Sequence, residues 1–366
     1  MSDVSAPRPT AAAPEMGAAR VTGSSLETYT TLRLGGQAGT LVIADEPGEA
    51  VATVRGAGNV DEPVLILAGG SNVVIGDGGF PGTVVLLRTR GARVIHRHAA
   101  QVIVRVAAGE PWDDFVAETV DNGWAGVECM SGIPGSAGAT PIQNVGAYGQ
   151  EVADTIVAVH VYDRLDDEIR AMTPEQCRFG YRSSVFKHSD RWMVLDVDFR
   201  LTETGVSGPI RFGELARRLD AGAGRPVPLA RTREAVLALR AGKGMVLDAE
   251  DPDTWSVGSF FTNPVLAADA FEALRARAAG EPPAWPNADG TVKVSAAWLI
   301  ERVGFHKGYG GAGHVAISGK HTLALTNRGG GTTTALLALA REIRDGVRDR
   351  FGVVLHPEPV LVNCEL

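Results

Sequence analysis

The chain has 366 residues, of which 45% are hydrophobic and 21% are charged, and its formal net charge is −8. This length allows two or three domains with sizeable cores. The acidic balance and the scattered Lys and Arg residues argue against a binding surface for nucleic acid or anionic lipid. One small anionic substrate held by a few local cations remains compatible with this composition.

The cysteine content and the apolar runs indicate the compartment. Cys129, Cys177 and Cys364 are an odd, sparse set without a CxxC pair, which predicts a reducing cytoplasm. The longest apolar runs, such as 84–87, fall far short of the roughly 20 residues of a membrane helix. The N-terminus also lacks the basic and apolar regions of a secretory signal. We therefore expect a cytoplasmic protein without a membrane span.

The front part of the chain is predicted to be rich in strands. Residues 1–20 are rich in Ala and Pro and have no periodicity, which predicts a disordered tail. Strand-like sequence begins at Thr31. The predicted strands that follow are 41–44, 64–68, 73–75, 83–87, 92–98, 101–107, 156–162 and 193–201, with helices at 47–56 and 111–123.

After Gly208 the pattern becomes more helical. The predicted helices are 212–219, 232–242, 267–279, 295–303 and 332–351, and strand residues fall within 314–325 and 353–362. We therefore expect a strand-rich front part of two lobes and an α+β rear domain that begins near residues 210–235.

The segment Ser131–Glu151 contains five glycines, two prolines and almost no charge. It cannot be a regular helix, because glycine costs about 1 kcal/mol and proline about 3 kcal/mol per site relative to alanine. One interpretation is an ordered loop whose backbone N–H groups lie against an anionic ligand, since glycine permits that close approach. The alternative is a buried chain that crosses between two sheets.

A second glycine-rich turn, 69–72, follows a predicted strand and reads Gly-Gly-Ser-Asn. Its backbone, hydroxyl and amide are a candidate phosphate cradle, although a simple turn has the same sequence. The Gly-x-Gly-x-x-Gly at 308–313 follows a helix and precedes strand residues, so we expect a turn there and no dinucleotide site. P-loop, Gly-x-Ser-x-Gly and metal-ligand patterns are absent from the sequence.

Four isolated polar residues remain in predicted loops: Arg182, Lys243, Ser259 and Glu358. Taken singly, each has a structural explanation, such as an ion pair for Arg182, a turn for Ser259 or a surface charge for Glu358. Two glycine cradles without a P-loop lysine would suit the pyrophosphate of a cofactor that is held and not hydrolysed.

Several separate motifs in this order resemble the UDP-N-acetylenolpyruvoylglucosamine reductase (MurB) family. They are AGGSN (68–72), GIPGSAGATPIQNVGAYGQE (132–151), FGYRSSVFK (179–187), GSFFTNP (258–264), SAAWLIE (295–301) and HPEP (356–359). The resemblance runs from about Thr31 to Val362. It implies an α+β fold in which a two-lobed FAD-binding domain of the vanillyl-alcohol-oxidase/PCMH type precedes an α+β substrate-binding domain.

The resemblance also implies a division of the chain. The expected segments are 1–20 (disordered tail), 21–90 (FAD-binding lobe 1), 91–232 (FAD-binding lobe 2), 233–352 (substrate-binding domain) and 353–366 (C-terminal strand carrying Glu358).

The implied activity is the NADPH-dependent reduction of UDP-N-acetylglucosamine enolpyruvate to UDP-N-acetylmuramate, a cytoplasmic step of peptidoglycan precursor synthesis. Non-covalently bound FAD would take a hydride from NADPH and pass it from N5 to C3 of the enolpyruvyl group. The catalytic residues would be Arg182 as the fixed cation, Ser259 as the proton donor to C2, and Glu358 beside the same carboxyl group. The expected partners are the UDP-sugar and NADPH, without nucleic acid or membrane, and the expected state is a monomer.

Further residues are implied to bind FAD and substrate. The expected FAD-binding residues are Gly69, Gly70, Ser71, Asn72, Gly132, Ile133, Pro134, Gly135, Gly138, Ala139, Ile142, Gln143, Asn144, Gly146 and Tyr148, and the expected substrate-binding residues are Tyr181, Lys243 and Asn263. The family often has a tyrosine on a loop that folds over the nucleotide, where this chain has Phe212. Stacking would survive there, and Tyr181 or Tyr309 are candidates to replace the lost hydroxyl contact.

Two alternatives stay open. The first is an oxidase of the same fold that uses oxygen on an alcohol or sugar. Such enzymes often tether FAD through a histidine or cysteine in the first glycine loop, where this chain has Ser71 and Asn72. The second is a nucleotide-sugar-binding protein without catalysis, against which the retention of Arg182, Ser259 and Glu358 together argues. A colourless, folded protein would favour the second alternative.

Overall fold

The computed structural model describes residues 19–222 and 224–366. The strands are β1 (Ala19–Thr22), β2 (Ala38–Ala44), β3 (Val64–Leu67), β4 (Val73–Ile75), β5 (Phe80–Leu87), β6 (Ala92–His98), β7 (Gln101–Ala107), β8 (Trp124–Ala125), β9 (Gly146–Ala147), β10 (Gln150–Glu151), β11 (Ile156–Asp163), β12 (Glu168–Met172), β13 (Trp192–Glu203), β14 (Ser256–Ser259), β15 (Val265–Leu266), β16 (Ala284–Pro286), β17 (Val292–Val294), β18 (Val315–Ile317), β19 (Ala324–Asn327) and β20 (Val360–Val362). The α-helices are α1 (Pro47–Gly58), α2 (Trp112–Asp121), α3 (Pro174–Cys177), α4 (Gly213–Leu219), α5 (Leu229–Gly242), α6 (Ala268–Arg277), α7 (Ala296–Arg302) and α8 (Thr333–Phe351).

The first sheet has the strand order β1-β2-β5-β3, in which β5 runs parallel to both β2 and β3. The connection between β2 and β3 is α1, which begins at Pro47, a residue suited to the first helical turn. Strand β5 is almost entirely buried, as expected for a parallel strand covered on both faces. Strand β3 is an edge strand of this sheet, and the glycine turn 69–72 follows its carboxyl end.

The second sheet has the order β12-β11-β13-β7-β6, and all its pairs are antiparallel. Helix α2 packs on it through Trp112 and Phe115, whose ring centroids lie 5.6 and 5.3 Å from that of Phe199 on β13. This buried cluster supports the long glycine loop, because Trp112 Nε1 donates a hydrogen bond to the carbonyl of Met130.

The rear part packs two small sheets, β14-β19-β18 and β15-β17-β16, with helices α6, α7 and α8. Helix α8 buries Leu336, Ala340, Ile343 and Val347, which recur with the spacing of an amphipathic helix. The last strand, β20, leaves this core and pairs in parallel with β4 of the front part. The C-terminal segment therefore joins the two parts of the molecule.

The expected α+β content is confirmed, and the predicted helices and central strands lie within a few residues of their predicted bounds. Residues 1–18 of the predicted disordered tail lie outside the described residues. The prediction is wrong for the last two residues of the tail, because Ala19 and Arg20 begin β1 and pair with Ile43 and Val42. Strand β12 is not among the predicted strands; it is a short edge strand whose residues are mostly exposed.

Two strand predictions are also corrected. The segment from Thr31 to Leu34 is a turn that buries Leu32 and Leu34, and of 353–362 only β20 is a regular strand. Val353 and Leu355 are buried in the rear core although their backbone has no ladder partner. Each segment has two buried apolar residues separated by one residue, a spacing that is also typical of a strand. The expected turn at 308–313 is confirmed.

Across residues 19–222 and 224–366, no helix is long and apolar enough to cross a membrane. In the same residues, no group of His, Cys, Asp and Glu side chains could hold a metal ion.

Candidate active site

A cleft of about 460 Å³ lies between the front and rear parts of the molecule. The lining includes the end of β3 with the turn 69–72 and, next to it, the glycine loop between Ile133 and Tyr148. The rear part contributes residues between Arg240 and Ser259, and the segment before β20 contributes Glu358. Segments that are distant in the sequence therefore enclose a single site.

The two glycine segments meet backbone against backbone. A Cβ atom on Gly69 would lie 2.5 Å from the Cα atom of Gly135, and a Cβ atom on Gly135 would lie 2.5 Å from Ser71 Oγ. Asn72 Nδ2 donates a hydrogen bond of 2.7 Å to Gln143 Oε1, which links the same two segments. This close approach leaves bare backbone facing the cleft, the arrangement that suits an anionic ligand.

Most of the predicted FAD-binding residues line this cleft. They are Gly69, Gly70, Ser71, Asn72, Ile133, Pro134, Gly135, Ala139, Ile142, Gln143, Gly146 and Tyr148. The structure does not place Gly132, Gly138 and Asn144 in the lining. A Cβ atom on Gly138 would lie 2.4 Å from Ala108 Cβ, and Asn144 Nδ2 donates to Glu151 Oε2 and to the carbonyl of Gly180. Part of the glycine loop therefore faces the cleft, and the part around Gly138 and Asn144 packs against other segments of the protein.

Arg182, Ser259 and Glu358 all line the cleft. Arg182 Nε lies 3.3 Å from Glu358 Oε1, and its two terminal nitrogens donate to the carbonyls of Asn144 and Gly146. These contacts fix the plane of the guanidinium group. Arg182 is therefore held in place by groups of the protein itself.

Ser259 is the last residue of β14, after an irregularity in the pairing with β19. Gly258 has a φ of 74°, a left-handed conformation that favours glycine. Such irregularities commonly redirect a side chain. The N–H of Glu358 donates to the carbonyl of Phe260, so the backbone next to Ser259 also positions Glu358.

The environment of Glu358 favours its protonated form. Its side chain is 16% exposed, and burial raises the pKa of its carboxyl group above the ordinary value. The cations Arg182 and Lys187 oppose this shift but do not cancel it. A carboxyl group in this state can donate a hydrogen bond.

Lys243, Tyr148 and Phe212 lie at one end of the cleft. Lys243 Nζ lies 5.8 Å from the centroid of the Tyr148 ring and donates to Glu214 Oε2 at 2.6 Å. The ring of Phe212 is perpendicular to that of Tyr148, with centroids 5.3 Å apart, and Phe212 is 43% exposed. This end therefore combines a cation with two aromatic rings.

Three predicted contacts lie outside the cleft lining. Tyr181 is 40% exposed, and its ring centroid lies 4.8 Å from Lys293 Nζ. Asn263 Oδ1 accepts a hydrogen bond from the N–H of Ala296 at the start of α7. Tyr309 donates to Glu342 and is therefore not positioned as a substitute for the family tyrosine.

Two titratable residues in the cleft lining, Arg240 and His321, were not predicted from the sequence. Arg240 on α5 is 8% exposed, and its Nε has no hydrogen-bond partner among the described residues, although Nη2 donates to the carbonyl of Met245. Burial lowers the pKa of Arg240 to about 10. Its spacing of three residues from Lys243 was the available signal, because such residues share a helix face.

His321 is the second missed residue. Burial, together with the nearby Lys243 and Lys307, lowers the pKa of this imidazole to about 4. The ring is therefore neutral at neutral pH. A lone histidine outside any motif gives no sequence signal of this kind.

Two family models match the chain. An FAD binding domain matches residues 38–172, and the C-terminal domain of UDP-N-acetylenolpyruvoylglucosamine reductase matches residues 250–362. These matches fall on the two parts of the molecule that enclose the cleft.

Similar proteins were found among curated sequences and solved structures. The UDP-N-acetylenolpyruvoylglucosamine reductase of Salinispora arenicola is 65% identical over 93% of this chain and 95% of its own length. That of Thermobifida fusca is 54% identical over 93% of this chain and 97% of its own length. The crystal structure of the reductase (MurB) from Thermus caldophilus has a TM-score of 0.64 at 24% identity and covers 94% of this chain and 98% of that one.

The comparisons confirm the predicted fold class. The chain is an α+β protein in which an FAD-binding domain precedes the C-terminal domain of this reductase family.

Proposed function

The chain belongs to the UDP-N-acetylenolpyruvoylglucosamine reductase family and is an FAD-dependent oxidoreductase, and we propose that it uses NADPH to reduce UDP-N-acetylglucosamine enolpyruvate to UDP-N-acetylmuramate. The observation that carries this proposal is that Arg182, Ser259 and Glu358 line one cleft with both glycine segments. The proposed setting is peptidoglycan precursor synthesis in the cytoplasm, and the proposed state is a monomer.

The cleft suits FAD in two respects. The paired glycines Gly69 and Gly135 leave no space for side chains between the two segments, so backbone N–H groups are free to face a diphosphate. Arg240 also lines the cleft, and its guanidinium charge suits an anionic group of the ligand. When bound, FAD would accept electrons from NADPH and supply the hydride that reduces the enolpyruvyl double bond.

We assign Arg182 the role of binding the carboxylate of the enolpyruvyl group. Negative charge develops on this group when C3 gains a hydride. A guanidinium group already oriented by the carbonyls of Asn144 and Gly146 stabilises that charge without reorganising.

Ser259 would donate the proton that C2 requires, so that the double bond gains one hydride and one proton. A serine hydroxyl is a weak acid, but it can protonate a strongly basic enolate when it is held close. Glu358, with its raised pKa, would donate a hydrogen bond to the same carboxyl group or hold Arg182 in orientation.

The substrate diphosphate would bind to Lys243, after its amine exchanges Glu214 for the ligand. Phe212 would cover the nucleotide, and Tyr181 and Asn263 would contact the substrate from outside the present cleft lining. We retain 21–90 and 91–232 as the FAD-binding lobes and 233–352 as the substrate-binding domain, with 353–366 as the C-terminal segment. The boundary at 232 falls within α5, a helix that packs on both α4 and α2.

An anaerobic spectroscopic titration tests this function. We expect the purified protein to show a flavin absorption band that NADPH bleaches and that the UDP-enolpyruvyl sugar restores. Recovery with oxygen alone would support the oxidase alternative. A folded protein that shows no flavin band, even after reconstitution with FAD, would contradict the proposal.

A further inference from the structure

Lys187 has no role in the reaction described above, yet it contacts the backbone of both charged catalytic residues. Its Nζ donates to the carbonyl of Arg182 at 3.2 Å and to the carbonyl of Glu358 at 3.1 Å. Lys187 and Glu358 are 171 positions apart in the sequence. One half-buried ammonium group therefore links the turn that carries Arg182 to the segment that carries Glu358.

The backbone of Arg182 needs such support. Its φ is 51°, a left-handed conformation that costs a non-glycine residue roughly 1–2 kcal/mol. Arg182 lies in a tight turn closed by reciprocal hydrogen bonds between Gly180 and Ser183. Because Lys187 binds the Arg182 carbonyl, it helps to hold the peptide in the orientation from which the side chain reaches Glu358.

The neighbouring contacts distinguish Lys187 from a residue that only anchors the turn carrying Arg182. Ser184 Oγ donates to the carbonyl of Ile142, so another side chain already fastens this segment to the glycine loop. Lys187 differs from Ser184 because it also binds the Glu358 backbone, and it can therefore influence the distance between the two catalytic side chains. Lys187 makes this contact across the two parts of the molecule.

We propose that Lys187 is a positioning residue that fixes Arg182 and Glu358 relative to each other for the reduction of the enolpyruvyl group. This proposal depends on the proposed function, because it assigns Lys187 to the step in which the sugar is reduced. Lys187 is not among the residues that line the cleft, and among the described residues its Nζ binds the carbonyls of Arg182 and Glu358 and not Ser259. Its loss should therefore slow the sugar step and leave flavin reduction by NADPH unaffected.

The test is anaerobic stopped-flow absorbance on the FAD-loaded protein. In Lys187→Met, we expect flavin reduction by NADPH at the wild-type rate and reoxidation by the UDP-enolpyruvyl sugar about 100-fold slower, the scale of a displacement of about 1 Å. Lys187→Arg, which keeps a cation and N–H donors, should recover most of that rate. The thermal midpoint and the fraction of bound FAD are measured for every variant.

A control variant accounts for general destabilisation. Thr333→Val removes a buried hydrogen bond to the carbonyl of Ile75, outside the cleft lining, and should leave both rates unchanged. If Lys187→Met does not retain FAD, Lys187→Gln is measured in its place.

Equal slowing of both steps, absence of rescue by arginine, or an unchanged sugar step would overturn the role of Lys187. A wild-type protein that NADPH bleaches but the sugar does not reoxidise would instead overturn the proposed function, and the role of Lys187 with it.

Discussion

Arg240 is an arginine inside the protein whose Nε has no partner among the residues described. This nitrogen has almost no exposed surface, so a ligand would be attracted by the charge of the guanidinium group and not by this donor. Arg240 lines the same cleft as the two glycine segments and lies three residues before Lys243. At the scale of single residues, Arg240 is therefore a candidate ligand contact that we did not predict from the sequence.

We predict that Arg240→Met weakens FAD binding by roughly 10- to 100-fold, because a hydrogen bond to a charged group contributes about 1.5–3 kcal/mol. The dissociation constant of FAD is measured by fluorescence titration of the apoprotein. Arg233→Met is the matched control, since Arg233 lies on the same helix and binds Asp113 outside the cleft lining. Equal losses in the two variants would contradict a specific role for Arg240.

The lowered pKa of His321 predicts that the stability of the protein depends on pH. Its pKa is about 4 in the folded protein, against an ordinary value of 6.5. As the pH falls from 7 to 5, the unfolded chain gains a proton that the folded chain does not, so the free energy of unfolding decreases. This contribution amounts to about 2 kcal/mol.

The measurement is urea unfolding at pH 7 and pH 5 for the wild type and for His321→Gln. The variant lacks this titration and should lose about 2 kcal/mol less than the wild type between the two pH values. An identical loss in both proteins would show that the imidazole titrates normally.

At the scale of elements, the glycine turn 69–72 depends on close backbone contact. A methyl group at residue 69 would overlap the backbone at Gly135, and neither segment can withdraw without moving the wall of the cleft. The shape of the cleft wall beside Gly69 is therefore determined by two backbone segments that approach closely because glycine has no side chain.

We predict that Gly69→Ala lowers the free energy of unfolding by at least about 1–3 kcal/mol through overpacking, and that it reduces FAD retention. Gly56→Ala is the control, since nothing lies within 4 Å of a Cβ atom at this position in α1. That substitution should be neutral or stabilising by about 0.4–1 kcal/mol. Chemical denaturation and the ratio of flavin to protein absorbance measure both effects. Retention of normal stability by Gly69→Ala would contradict the close packing.

The helices, strands and turns also show which parts of the fold can be predicted from sequence patterns. Helix α8 was predictable because apolar residues recur at helical spacing, and the turn 69–72 because glycine pairs interrupt a strand pattern. Strand β12 was not predicted, although Glu168 to Ala171 alternate polar and apolar residues, because the strand has only five residues and most of them are exposed. The segment 31–34 imitates a strand because Leu32 and Leu34 are buried by contacts with the distant rear core.

The residues of the candidate active site were harder to predict from sequence patterns than the helices and strands. Arg182, Ser259 and Glu358 became a group only through the resemblance to a family, because each has a structural explanation when taken alone. Arg240 and His321 were missed because burial defines their chemistry, and the local sequence does not reveal which helix face or turn meets the cleft.

At the scale of the whole molecule, the rear part is tied back onto the front part near the cleft. Strand β20 pairs with β4, and Asp77, just beyond β4, accepts hydrogen bonds from the N–H groups of Thr333 and Thr334 at the start of α8. A carboxylate at this position satisfies unpaired N–H groups and favours the helix dipole.

We predict that Asp77→Ala lowers the free energy of unfolding by about 1–2 kcal/mol, the range for loss of a helix cap. Asp349→Ala, at a 70% exposed side chain near the other end of α8, should change it by less than about 0.5 kcal/mol. Urea denaturation compares the two variants. Equal effects would contradict the role of Asp77 as a tie between the two parts.

The most direct test of the central claim is anaerobic stopped-flow absorbance of FAD-loaded Ser259→Ala. The claim is that Ser259 protonates C2 in the cleft while the front part holds the flavin. We predict that NADPH bleaches the variant at the wild-type rate. Reoxidation by the UDP-enolpyruvyl sugar should slow by about 100-fold or more, the range for general acid catalysis. Reoxidation at the wild-type rate, or equal slowing of both steps, would contradict the claim.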